Sequence, residues 1–388
     1  MSGREVTERG TMDLAEELRL HPDRWVVERT PDGYAAHRRE RDLREVHVEV
    51  TTRCNLECGH CVRNVWESPW EDMDPATFDA LVGGLRELPR VDRVHFGGFG
   101  EPLVHPDIVA MVQRIHSLGI RTSMITNGTL LTEGMADSLL DAGLDRLFVS
   151  VDSPRRASFA DARDGADLDL VLDNLRTLRD LRASRGSPSP TIGMEAVVTR
   201  DNLEELEEMP SLAKEMGVSV VLLTHLLPHE EGAADGIAYG EGAPELPRSA
   251  GWGVLAGDQI MWGTLSAPRS GWGAERWCPF VNNKRTMVGR DGGVSPCPAL
   301  MRSYRYFIFG DEKRVKRYLL GNVNHRPLAD TWTSEEYVLF RSKVTDFRFP
   351  SCVDCGANCD LRQGNADCYA NEVSCADCLW AQDILRCP

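Results

Sequence analysis

Three cysteines stand close together in the run Cys54-Asn-Leu-Glu-Cys58-Gly-His-Cys61. Their C-x3-C-x2-C spacing lets one tight loop bring three thiolates around one compact inorganic centre. The loop supplies no fourth thiolate. A structural zinc site closes with four ligands, whereas an iron–sulfur cube held at three corners leaves one iron open to a small molecule. The competing reading is half of a zinc site completed by a distant residue, or three unrelated buried cysteines.

Nine more cysteines lie at the other end of the chain: Cys278, Cys297, Cys352, Cys355, Cys359, Cys368, Cys375, Cys378 and Cys387. The C-x2-C pairs 352/355 and 375/378 have metal-ligand spacing, and a pair of zinc knuckles would also satisfy it. Two four-thiolate iron–sulfur clusters would consume eight of the nine. One is then spare, as a redundant ligand, an inert residue or a redox-active thiol.

The elements that must position the first loop alternate regularly. Val46, Val48 and Val50 mark a strand running into the cysteines. Asp74 can cap a helix with Pro75 in its first turn, and Phe78, Leu81, Val82, Leu85 and Leu88 recur at helical spacing. The pattern then predicts strands at 93–96, 121–126, 147–151, 191–198 and 218–224. Helices are predicted at 107–118, 132–143, 168–181 and 203–216, three of them closed by Gly119, Gly143 and Gly217. Strands separated by helices imply right-handed parallel crossovers. The expected class is α/β, a partial (β/α)6 barrel or open doubly wound sheet, with its chemistry at the carboxyl ends of the strands.

Those ends carry informative residues. Gly97-Gly-Phe-Gly-Glu-Pro102 follows the second strand, Thr126-Asn-Gly the third and Ser150-Val-Asp152 the fourth. Glu195 and Thr224 come late in the fifth and sixth. The glycine run (Gly97, Gly98, Gly100, then Glu101) is not a dinucleotide fingerprint, and it can be a packing turn or a backbone surface for a ligand.

Four segments result: a 1–44 leader with a helix at 12–20 and a hairpin around Pro31-Asp-Gly33, a 45–228 core, a 229–277 linker or substrate-covering loop, and a cysteine-rich 278–388 domain. The 229–277 segment contains Gly251-Trp-Gly253 and Gly271-Trp-Gly273. The 388 residues carry 42% hydrophobic and 27% charged residues, a soluble globular balance, with net charge −16. Nucleic-acid backbone and anionic membrane are both disfavoured partners. A polar amino terminus and the absence of a long apolar run lead to a cytoplasmic expectation. In that compartment twelve cysteines hold metal rather than form disulfides.

Cys54-x3-Cys58-x2-Cys61 on the first strand–loop of a six-fold β/α repeat resembles the radical S-adenosylmethionine (radical SAM) enzymes. Cys278, Gly292-x4-Cys297 and the cysteine-rich tail resemble their SPASM subgroup. Within it, Cys61-Val-Arg-Asn-Val-Trp66, the Gly97 run, Gly289–Cys297 and Cys375–Cys387 resemble maturases of tungsten-cofactor oxidoreductases.

The resemblance implies that Cys54, Cys58 and Cys61 bind a 4Fe–4S cluster whose open iron takes the amino and carboxylate groups of S-adenosylmethionine. It implies that Gly97–Pro102 holds the methionyl amino group. Thr126, Ser150, Asp152 and Glu195 become candidates for methionyl and ribose contacts, and Thr224 to Leu226 for the adenine edge. An electron from the cluster would cleave the sulfonium bond, and the 5′-deoxyadenosyl radical would take hydrogen from a substrate carbon. The tail would carry two auxiliary clusters, and a flavodoxin- or ferredoxin-like protein would donate electrons.

An auxiliary cluster that accepts the substrate radical's electron leaves an oxidised product; a spare cysteine that returns hydrogen leaves an epimer. Oxidation is the expectation, on a small molecule such as a sugar or aminocyclitol unit of a natural product. A pterin-type cofactor or a peptide is the alternative, and a zinc or iron–sulfur scaffold the non-enzymatic one. Sulfatase-maturing relatives carry an acidic base where this chain has Pro298, which argues against that activity. Asp291 and Asp377 remain as possible bases or turn residues. Some 44 residues before the first strand argue against a peptide-leader domain there.

Overall fold

The computed structural model describes residues 14–30, 33–66, 68–244, 246, 251–256, 259–271, 276–308, 311–352, 355, 359 and 363–387. Helix α1 (Leu14–Leu20) precedes an antiparallel hairpin of β1 (Trp25–Thr30) and β2 (Gly33–Arg38). Both were expected; Pro31 and Asp32 lie outside the described residues.

The repeat follows as β3 (Glu45–Val48), α2 (Pro75–Arg86), β4 (Arg93–Phe96), α3 (Ile108–His116), β5 (Arg121–Thr126), α4 (Glu133–Asp141) and β6 (Arg146–Ser150). It continues through α5 (Arg156–Ala162), α6 (Leu168–Ser184), β7 (Thr191–Val198), α7 (Met209–Glu215) and β8 (Val220–His225). Two helices depart from the expectation. The short α5 was not foreseen. The helix expected at 203–216 is a 3-10 segment, Leu203–Glu208, followed by α7. Pro210 explains the break, since it has no N–H for an i→i−4 bond and is tolerated only in a first turn.

Beyond residue 228 come the hairpin β9 (Gly251–Ala256) and β10 (Gln259–Ser266), then α8 (Pro279–Asn282), β11 (Arg285–Val288) and β12 (Gly293–Ser295). A second hairpin, β13 (Tyr304–Ile308) and β14 (Asp311–Val315), precedes β15 (Gly321–Asn322), α9 (Leu328–Trp332) and α10 (Glu335–Thr345). The main sheet runs β15-β12-β11-β3-β4-β5-β6-β7-β8-β10-β9. All pairings from β11 through β3 to β8 and on to β10 are parallel. The six expected strands are therefore extended at both edges by later parts of the chain.

Alternation along each strand divides the two faces. Val46, Val48 and Val50 join Phe78, Leu81 and Trp332 in the main apolar core. The alternate residues Glu45, His47 and Glu49 are equally buried, at 7%, 4% and 0% exposure. They begin a polar interior in which the rings of His47 and His95 lie 4.7 Å apart. Burial opposes ionisation of Glu45, yet His47, Arg285 and Arg93 bring it down to about 2. The lower interior is thus closed by paired charges, and the chemistry is left to the carboxyl ends.

Candidate active site

The cysteine loop leaves β3 through a tightly gripped segment. Thr52 N donates to Glu71 O at 3.0 Å, and Glu101 N donates to Arg53 O at 2.8 Å. A Cβ on Gly100 would lie 2.2 Å from Thr51 O and 2.7 Å from Arg53 O, so only glycine allows this approach. Gly98, at φ +138°, packs on the side chain of Glu49. The glycine run thus presses its backbone against the strand that delivers Cys54. Within the loop, Cys61 N donates to Cys58 O and Asn64 Nδ2 donates to the same oxygen, both at 3.1 Å.

All three thiols are free and partly exposed. Burial raises Cys61 and pushes Cys58 up to about 11, against the pull of the nearby Arg163 guanidinium. Among the described residues no three Cys, His, Asp or Glu side chains converge tightly enough to clasp a single metal ion. Three uncrosslinked thiols on one loop, with a cation beside them, suit a larger anionic cluster. When bound, Cys54, Cys58 and Cys61 would hold it.

Glu101 and Thr126, both candidates for cofactor contacts, bind one another. The buried Glu101 carboxylate accepts from Thr126 Oγ1 at 2.7 Å, Asn127 N at 2.7 Å and Leu103 N at 3.0 Å. Burial raises its pKa in spite of these donors. It brackets the ends of β4 and β5, and through them sets Asn127. That residue, flanked by the predicted Thr126, was not singled out. Its Nδ2 lies 2.9 Å from Asn55 Oδ1 and 3.8 Å from Cys54 Sγ, so it steers the cysteine loop directly.

Asp152 is 1% exposed. Its carboxylate lies 2.8 Å from Arg163 Nε and 3.8 Å from His60 Nε2, and accepts from Val197 N at 2.9 Å. Burial opposes the charge, but Arg163 and His60 hold the carboxyl below its ordinary range. Arg163 closes α5 and is drawn to both Asp152 and Cys58. Neither it nor His60 was singled out, although His60 sits inside the cysteine motif; Arg163 has no local signal. Ser150 pairs in register with Glu195, and burial carries Glu195 up to about 8. Thr224 Oγ1 accepts from Arg386 N at 3.0 Å, fastening the carboxyl-terminal tail to β8.

Six of the tail cysteines, Cys278, Cys297, Cys352, Cys375, Cys378 and Cys387, belong to or pack against one apolar cluster. Cys278, Cys297, Cys375 and Cys378 line one enclosed apolar pocket with Phe280 and Trp380. Burial, then their mutual proximity, pushes Cys297 and Cys375 well above the ordinary thiol value. Four thiols around one apolar pocket fit an auxiliary cluster. Cys352 feels Cys368, and Cys355 N donates to Cys352 O at 3.3 Å; Cys355 and Cys368 are exposed, and Cys359 is half-buried. Cys387 packs against the apolar cluster that holds Cys278 and Cys375, and its Sγ accepts from Trp380 Nε1 at 3.2 Å. Asp291 pairs with Arg317 at 2.8 Å and Asp377 with Lys313 at 2.9 Å, so both are committed to ion pairs.

Residues 48–213 match the profile of the Radical SAM superfamily, and residues 278–360 that of the SPASM iron-sulfur cluster-binding domain. The chain is 34% identical over 349 residues to the tungsten-containing aldehyde ferredoxin oxidoreductase cofactor-modifying protein of Pyrococcus furiosus, spanning 89% of this chain and 97% of that one. It is 28% identical over 320 residues to the PqqA peptide cyclase of Xanthomonas campestris, spanning 76% and 75%. Two solved structures share the fold. Streptococcus suis SuiB bound to S-adenosylmethionine has a TM-score of 0.52 at 15% identity, over 80% of this chain and 70% of that one. Native anSMEcpe with bound AdoMet has a TM-score of 0.52 at 16% identity, over 80% and 86%.

Proposed function

Since the chain belongs to the radical SAM superfamily and carries a SPASM domain, we propose that it is an oxidoreductase that removes hydrogen from a carbon of a small molecule and leaves it oxidised or epimerised. Its cofactors are 4Fe–4S clusters and S-adenosylmethionine. The cluster supplies the electron that cleaves the sulfonium bond, and with it the 5′-deoxyadenosyl radical.

The remaining work falls to the protein's own residues. Cys54, Cys58 and Cys61 hold the cluster, and Asn127 and the Gly97–Gly100 backbone fix the loop that carries them. Arg163 offsets the negative charge of the thiolates and anchors Asp152. Ser150, Asp152 and Glu195 offer polar atoms for the methionyl and ribose groups. The tail pocket of Cys278, Cys297, Cys375 and Cys378 holds one auxiliary cluster, and Cys352, Cys355, Cys359 and Cys368 a second. A flavodoxin- or ferredoxin-like protein supplies electrons.

One observation carries this reading: the three free thiols share the carboxyl end of the sheet with Asn127, Asp152 and Arg163. Replacing Cys54, Cys58 and Cys61 with Ala should lower iron by about four atoms per chain, from about twelve, and abolish 5′-deoxyadenosine formation. S-adenosylmethionine cleavage that persists in this variant would sink the assignment, and stoichiometric zinc without iron would leave only a scaffold.

The small molecule includes the sugar or aminocyclitol class. A second reading, a pterin-type metal cofactor, is favoured by the match to 97% of the tungsten-cofactor-modifying relative. Deuterium transfer from labelled candidates into 5′-deoxyadenosine separates the two.

A further inference from the structure

A group of aromatic side chains spans the carboxyl-end mouth of the barrel and takes no part in holding the clusters. Trp66 closes the cysteine loop after β3, Phe99 stands in the glycine run after β4, and Leu227 follows β8. All three pack in one cluster with Tyr304 and Tyr306 of β13. β3 and β8 lie at opposite ends of the run β3-β4-β5-β6-β7-β8, so β13 bridges the two. Two bonds fasten it there: Phe307 N donates to Pro228 O at 2.8 Å, and His229 Nδ1 donates to Arg305 O at 3.0 Å. The rings meet edge to face, Trp66 with Phe99 at 5.5 Å and His229 with Tyr304 at 5.7 Å.

Trp66, Tyr304, Tyr306 and His229 are only 6% to 8% exposed, yet each keeps a polar atom uncommitted. Trp66 Nε1 is buried and has no partner among the described residues. The hydroxyls of Tyr304 and Tyr306 make no hydrogen bond among the described residues. His229 gives its Nδ1 proton to a carbonyl, which can only accept, so Nε2 carries the free lone pair. Leaving buried polar atoms unpaired is unfavourable, and here four of them share one place.

The set is also uncharged. Burial takes His229 down to about 4 and pushes both phenols well above their ordinary value. The neighbouring charges are paired. Arg302, 5.4 Å from the Trp66 ring, binds Glu49, and Lys313, opposite Tyr306 in the hairpin, lies 2.9 Å from Asp377. A buried ammonium or carboxylate would find no counter-ion among these side chains. The amide and amine edge of a pterin calls for carboxylate or amide side chains, and the set contains neither.

We propose that Trp66, Tyr304, Tyr306 and His229 recognise the substrate, and that the ring they take is uncharged and polyhydroxylated, of the neutral sugar class. The proposal rests on the radical SAM reading above and narrows its small molecule. Aromatic surface takes the C–H faces of such a ring. One indole donor, two phenols that both donate and accept, and one imidazole acceptor match the hydroxyls around its edge. Trp66 lies five residues beyond Cys61 on the same loop, so a ring held here stands at the initiating end of the barrel.

The test uses the full chain with its clusters loaded and S-adenosylmethionine bound, and follows labelled probes by equilibrium dialysis. The probes are methyl glucoside, methyl galactoside and methyl mannoside, the 2-amino counterpart of the first, and neopterin. One of the neutral glycosides should bind about tenfold more tightly than the amino sugar and neopterin. Tyr304→Phe, Tyr306→Phe and Trp66→Phe keep an aromatic ring and remove one hydrogen-bonding atom. Each should weaken that glycoside about five-fold while S-adenosylmethionine is retained as in the wild type. The proposal is overturned if no neutral glycoside binds, if the amino sugar or neopterin binds as tightly, or if all three variants bind the glycoside unchanged. The wild-type comparison decides even where a variant fails to fold. Dialysis needs no radical, so a wild-type protein that forms no 5′-deoxyadenosine with dithionite would instead remove the radical reading itself.

Discussion

Arg163 lies 102 positions beyond Cys61 in the chain, yet it stands beside the cysteine loop because α5 ends there. Its value is electrostatic: it pairs with Asp152 at 2.8 Å and offsets the thiols. His225 shows how burial alone sets a residue's chemistry. It is 2% exposed, its Nε2 lies 3.1 Å from Arg269 O, and burial takes it down to about 4 from 6.5. Between those values the unfolded chain binds more protons than the folded one, so stability falls as pH drops through 6.5 towards 4 and is flat above. From about pH 7.5 to about pH 5.5 the part of this loss due to His225 should be roughly 1 kcal/mol. Anaerobic urea unfolding should show a smaller loss in His225→Gln; equal pH slopes in the two proteins would count against it.

At the scale of elements, local chemistry starts and stops the helices that bury the sheet. Asp74 caps α2 by accepting from Thr77 N at 2.8 Å and Thr77 Oγ1 at 2.9 Å, with Pro75 in the first turn. Asp74→Ala should cost about 1 kcal/mol, read as a lowered urea midpoint, while Asp74→Asn keeps most of the cap. These signals were legible in the sequence, since side chain and backbone lie within three residues of each other. The short α5 was less legible, since Arg155 at its start makes no side-chain cap, whereas the break in the helix expected at 203–216 was signalled locally by Pro210.

At the scale of the whole molecule, the cysteine-rich segment is built into the barrel. β11 pairs with β3 residue for residue, from Arg285↔Glu45 to Val288↔Val48. Arg302, 2% exposed, forms an ion pair with Glu49, 0% exposed, just before the cysteine loop. Removing one partner strands a charge in the interior. Arg302→Met should therefore cost roughly 3–5 kcal/mol, and Glu49→Leu in the same chain should recover a large part of it. A double-mutant cycle on urea midpoints measures this; no recovery would show that the cost lies in packing, not in the stranded carboxylate. The register places the strand between Cys278 and Cys297 in the same sheet as the strand that delivers the three-thiol loop.

The sequence by itself determined the repeat, the three-thiol loop and the class of chemistry, because each is written in short-range spacing: period two in strands, helical period between them, and three thiols within eight residues. Only the tertiary structure decided that Glu101 and Thr126 bind one another and that Arg163 and His60 join Asp152. Those outcomes depend on which side chain exhausts its hydrogen bonds on which neighbour. That is settled by strand register, across separations that no local pattern encodes.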